Sequence, residues 1–116
     1  MSSHVSYEIY PQYLRAKLLG VFPPHVEVFE TIRDQARKCD RSRIVFDLLD
    51  VDLPVSDLYR FWAGKTVADV FEHRFKIAAL VREDQINRSG ENAAVNRGAR
   101  LFVTADEESA LRWLIG

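Results

Sequence analysis

Apolar and polar residues alternate from Tyr13 to Leu18, with Leu14, Ala16 and Leu18 on one side and Tyr13, Arg15 and Lys17 on the other. A period of two predicts a strand covered on one face. Tyr7 and Ile9 precede it and Pro11-Gln12 supplies a turn, so residues 7–20 read as a hairpin. Gly20 and Pro23-Pro24 then break the strand and the period changes. From His25 to Cys39, the residues Val28, Phe29, Ile32, Ala36 and Cys39 recur at helical spacing opposite Glu27, Glu30, Asp34 and Lys38. That pattern predicts an amphipathic surface helix.

Three later stretches are almost continuously apolar: Ile44–Leu49, Ile77–Val81 and Leu101–Val103. Such runs predict strands buried on both faces, here mutually parallel and central in a sheet. The intervals 56–73, 91–97 and 105–115 are suited to helices, and strand alternating with helix is the α/β pattern. Gly98, after Asn96-Arg97, is a natural left-handed helix end. Thr104-Ala105-Asp106-Glu107 fits a capping box, with Thr104 as N-cap and Glu107 reaching back.

The helix at 56–73 has no clean polar face. At 100° per residue, Tyr59, Ala63, Val67, Val70 and Phe71 share one side. Leu58, Phe61 and Trp62 form a second apolar group off that side. Either this helix is deeply buried, or the three residues form a contact surface for another chain. Ser56, after Pro54-Val55, is well placed to cap the helix.

Composition narrows the function classes. A chain of 116 residues reads as one domain, 1–116. A net charge of -1 gives no reason to expect nucleic acid as partner. Cys39 is the single cysteine, which excludes an internal disulfide and a thiolate metal cluster and fits a cytoplasmic protein. No apolar run approaches the roughly 18 residues of a membrane span, and no leader pattern opens the chain, so an integral membrane protein is not expected.

Candidate chemistry is sparse. His4, His25 and His73 are scattered, without a second ligand at helical or strand spacing. There is no G-x-S-x-G, and the five glycines never cluster into a phosphate loop. The acids Asp47, Asp50, Asp52, Glu83, Asp84 and Asp106 fall near strand ends, where α/β proteins bind ligands. A Mg²⁺-dependent phospho-accepting site would also need a lysine after the last strand and an acid pair after the first, and neither is present. The acids therefore read as turn and helix caps, and no cofactor is expected.

The order of elements, with Val45-Phe46-Asp47-Leu48 leading through a loop to Ser56 at a helix start, resembles the STAS domain, the SpoIIAA-like fold of anti-sigma-factor antagonists. Typical members run from a V-L-D-L strand to D-S-S-G. Val55-Ser56-Asp57-Leu58 occupies that place, and Ser56 matches the phosphorylated serine. Val55 replaces the aspartate before it and Leu58 the glycine, so the cap is the favoured role of Ser56 over a phosphosite. The C-terminal third, from Glu91-Asn92 through Asn96-Arg97-Gly98 to Ala110-Leu111-Arg112-Trp113-Leu114, is similar to the stand-alone SpoIIAA-like (STAS/SEC14-like) branch. The resemblance implies a four- to five-stranded mixed sheet flanked by helices and no settled activity, and a non-enzymatic domain is expected. The expected function is a regulatory or protein-interaction module, with a protein partner or homodimer contacting Ser56 and the apolar group Leu58, Phe61 and Trp62. The alternative is a small apolar, lipid-like ligand held between helix 56–73 and the sheet.

Overall fold

The computed structural model describes residues 4–20, 26–51, 57–86 and 88–116, with only the backbone of Asp57, Tyr59, Ser89 and Gly90. The elements in chain order are β1 (His4–Ile9), β2 (Leu14–Leu19), α1 (Val26–Lys38), β3 (Arg43–Asp47), α2 (Asp57–Phe71), β4 (Lys76–Leu80), α3 (Arg88–Asn96), β5 (Arg100–Thr104) and α4 (Glu107–Ile115). A 3-10 turn, Glu83–Gln85, follows β4.

The five strands form one mixed sheet in the order β1-β2-β3-β4-β5. β1 is antiparallel to β2, and all the other neighbours are parallel. The hairpin register pairs Tyr7 with Ala16 and Ile9 with Leu14. β3 and β4 are central, as their apolar runs predict, and Phe46 and Leu80 are both buried. β5 departs from the expectation of a central strand: it is an edge. Its three apolar residues are only half-buried, and a run of three is too short to separate a central strand from an edge covered by helices.

Alternation along the strands sends side chains to two cores. Leu14, Ala16 and Leu18 of β2, Ile44 and Phe46 of β3, and Ile77 and Ala79 of β4 join Phe29, Ile32, Val67 and Phe71 from α1 and α2. Val45 of β3 and Ala78 and Leu80 of β4 face the other way, onto Ala110 and Leu114 of α4. α3 packs beside α2 through small residues, with Ala68, Ala94 and Ala99 buried together. The three crossovers all step the same way across the sheet, so a common hand places α1, α2 and α3 on one face.

The helix ends follow local chemistry. After α3, Gly98 takes φ +93, donating to Val95 O at 3.0 Å while Ala99 donates to Ala94 O at 3.0 Å. That is the Schellman closure expected at this glycine. Asp40 does the same after α1 at φ 57, a conformation that aspartate tolerates better than most residues. The start of α4 differs from the capping box read in the sequence. Asp106 is the N-cap, its carboxylate accepting from Ser109 N at 3.0 Å, while Thr104 Oγ1 accepts from Asp106 N at 3.2 Å. Asp and Thr are both good caps, and the strand runs on through Thr104, leaving Asp106 as the first residue free to cap. Accepting from Ser109 holds the Asp106 carboxyl below its usual value.

Candidate functional site

α2 carries two apolar surfaces because its sequence has almost no polar side. Ala63, Val67, Val70 and Phe71 are buried against the sheet, as the helical wheel requires. Leu58, Phe61 and Trp62 point elsewhere, and their exposures of 73%, 41% and 41% mark them as surface residues. Leu58 and Trp62 are one turn apart, so they present a single stripe at the start of α2. The Arg97 guanidinium, from the end of α3, lies 4.8 Å from the centroid of the Phe61 ring and donates to Ala93 O at 3.2 Å. A cation over an exposed ring contributes about 0.5–1 kcal/mol and fixes the ring against α3. Ser56, together with Asp52–Val55, lies outside the described residues.

Beneath α2 is a cavity of about 80 Å³. Ala63, Gly64 and Val67 of α2 form its roof, and Phe46, Ala79 and Val103 are among the strand residues of its floor. The small side chains Ala63, Gly64 and Ala79 leave this space open. One buried water needs roughly 10–15 Å³ measured this way, so the space is several times larger than that. The lining is apolar almost throughout, and Arg60, Gln85 and Glu91 supply its polar residues. Arg60 Nη1 donates to Gln85 O at 2.6 Å, which ties the start of α2 to the turn after β4.

The opposite face of the sheet holds a charged network that joins residues far apart in sequence. Asp47, at the end of β3, is 4% exposed. Its carboxylate accepts from Arg15 Nη2 at 2.9 Å and Nε at 3.3 Å, and from Leu49 N at 3.1 Å. Arg15 also donates to Glu107 of α4. Burial disfavours the Arg15 charge, but the hydrogen bonds to Glu107 and Asp47 outweigh it and hold its pKa above the usual arginine value. Asp50 pairs with Lys17 at 2.9 Å. Asp47, Asp50 and, at the start of α4, Asp106 are therefore engaged by separate partners, and among the described residues no three His, Cys, Asp or Glu side chains lie close enough to hold a metal. Cys39 is half-buried with its Sγ 3.6 Å from Ala36 O. His4 is exposed on β1, His73 follows α2, and His25 lies outside the described residues.

Sequence reasoning treated Asp47 as a turn acid and did not find its link to Arg15. One signal was available: a charged residue inside a strand, on the side opposite Leu14 and Ala16, needs a partner if a helix covers that side. It also did not find the role of Arg88 and Glu91. Glu91 Oε2 accepts from Val103 N at 2.6 Å, and Arg88 Nη1 donates to Val103 O at 2.8 Å.

A five-stranded mixed sheet with three helices on one face and one on the other is a SpoIIAA-like fold, and solved structures bear this out. An anti-sigma factor antagonist from Mycobacterium paratuberculosis superposes with a TM-score of 0.64 at 15% identity, over 99% of this chain and 96% of that one. An uncharacterized protein of the DUF3478 family with a SpoIIAA-like fold, from Shewanella loihica PV-4, gives 0.61 at 17% identity, over 97% and 93%. At such identities the likeness is one of fold. No family model matches the chain, and no curated protein matches it in sequence. Among the described residues, no helix is long and apolar enough to cross a membrane.

Proposed function

We propose that residues 1–116 form one cytoplasmic, non-enzymatic regulatory domain that docks a partner protein on the N-terminal half of α2. One observation carries the reading: Leu58, Phe61 and Trp62 are exposed together on a helix whose other apolar residues, Ala63, Val67, Val70 and Phe71, are buried against the sheet. Exposed aromatic side chains grouped with another large apolar residue at one spot mark a protein interface. The shared fold with an anti-sigma factor antagonist supports a regulatory role. In sequence, Ser56 directly precedes this end of α2. The test is a comparison of wild type with the Leu58→Ser, Trp62→Glu double variant, each immobilised and exposed to native cytoplasm. A partner retained by wild type and lost by a normally folded variant is expected. Equal capture by both would remove the basis for the reading.

A second reading rests on the cavity under α2: its lining is apolar, and its volume of about 80 Å³ suits a short apolar segment of a ligand. Ala63→Leu separates the cases. In an empty cavity the extra carbons stabilise the fold, whereas a resident ligand is expelled and the purified protein loses both the ligand mass and thermal stability.

A further inference from the structure

The two edges of the sheet are finished differently. At β5, Glu91 and Arg88 occupy the N–H and C=O of Val103, standing where a further strand would bind. Among the described residues, β1 has no such cover. It runs six residues in unbroken register with β2 and contains no proline, lysine or bulge, the usual devices that discourage pairing at an edge. Tyr10 N donates to Tyr13 O at 2.9 Å and closes the hairpin. Bonded pairs alternate along an antiparallel ladder, so Ser6 and Glu8 bond inward and the N–H and C=O groups of Val5, Tyr7 and Ile9 point outward. Among the described residues, no hydrogen bond engages those six groups.

We propose that this edge pairs with β1 of a second copy of the chain, antiparallel, with the two-fold axis at Tyr7. That register sets Tyr7 opposite Tyr7 and Val5 opposite Ile9 of the second copy, and it uses every outward group. It also explains Ile9. Val5 and Tyr7 on the same side pack against the core, yet Ile9 is 54% exposed. In the dimer, Val5 of the second copy covers it. The neighbouring registers are poorer. An axis at Glu8 puts like charges directly opposite, which is destabilising. An axis at Ser6 leaves Ile9 opposite a residue outside β1. The contact uses no residue of α2, so the dimer presents two copies of the α2 stripe.

Sedimentation equilibrium of the full chain tests the assignment, alongside cross-linking in a Cys39→Ser background. Wild type is expected to show twice the monomer mass. Ile9→Lys, at an exposed position, should keep the circular dichroism of wild type and weaken association about tenfold or more, since two Val5–Ile9 contacts are lost per dimer. Ser6→Cys mixed with Glu8→Cys should form an intermolecular disulfide, because those positions face each other across the axis, while each variant alone should not. A monomeric wild type overturns the proposal. So does a dimer that Ile9→Lys leaves intact and Trp62→Glu disperses, which would move self-association to α2.

Discussion

Asp47→Asn changes one atom and removes a charge, so it isolates the network under α4. The carboxylate accepts two hydrogen bonds from Arg15 and one from Leu49 N. An asparagine keeps an oxygen for Leu49 N, but its amide then turns N–H donors toward the N–H donors of Arg15. Hydrogen bonds to a charged group are worth about 1.5–3 kcal/mol. Orphaning a buried charge outright costs about 3–5 kcal/mol, but Arg15 keeps Glu107 and is partly exposed, so the lower figure applies. We expect a loss of about 2–3 kcal/mol. With an unfolding entropy of about 2.1 cal/mol/K per residue, that is a fall in Tm of roughly 10 °C. Thermal melts followed by circular dichroism measure it, and a double-mutant cycle assigns it. In an Arg15→Met background the same substitution should cost less than about 1 kcal/mol. A fall below about 3 °C, or an equal fall in both backgrounds, would refute the role given to Arg15.

Tyr7→Phe should stabilise the fold by about 1 kcal/mol, because the Tyr7 hydroxyl is buried with no hydrogen-bond partner among the described residues. Burial also raises the Tyr7 pKa above the ordinary value of 10.0, so the folded state holds its proton longer than the unfolded state; stability should fall as pH rises past about 10, and Tyr7→Phe should flatten that fall in alkaline melts. Gly98→Ala meets open space but must adopt φ +93, so urea titration should show a loss of about 1–2 kcal/mol from backbone strain alone. Glu91→Ala leaves Val103 N without its acceptor, and a loss of about 1–2 kcal/mol with concentration-dependent association through β5 is expected by light scattering.

Much of this fold is legible in the order of its periodicities. The alternation at 13–18 and the solid apolar runs at 44–49 and 77–81 distinguish an edge hairpin from central strands, because burial on one face and on two leaves different patterns. Helix ends were legible where one residue type answers a backbone need, as at Gly98. The start of α4 was not, since Thr104 and Asp106 are both competent caps and only the length of β5 chooses between them. The α2 stripe was visible as an apolar group off the main face, but sequence alone left it open whether a second layer covered it. The cavity depends on Ala63, Gly64 and Ala79 meeting across a helix–sheet gap, a tertiary coincidence with no local pattern. The same holds for Arg15, Asp47 and Glu107, which come from three elements and meet only once β2, β3 and α4 are assembled.

The placement of α4 has a consequence for how the domain is made. α1, α2 and α3 all cover one face of the sheet, and α4, last in chain order, is the helix that covers Val45, Ala78 and Leu80 on the other. Ribosomes deliver a chain from its N-terminus. The sheet and its first core can therefore assemble while α4 is still held in the ribosome, with one oily side bare. A nascent chain paused at that point would display a surface suited to chaperones, and release of α4 would end that exposure in a single step.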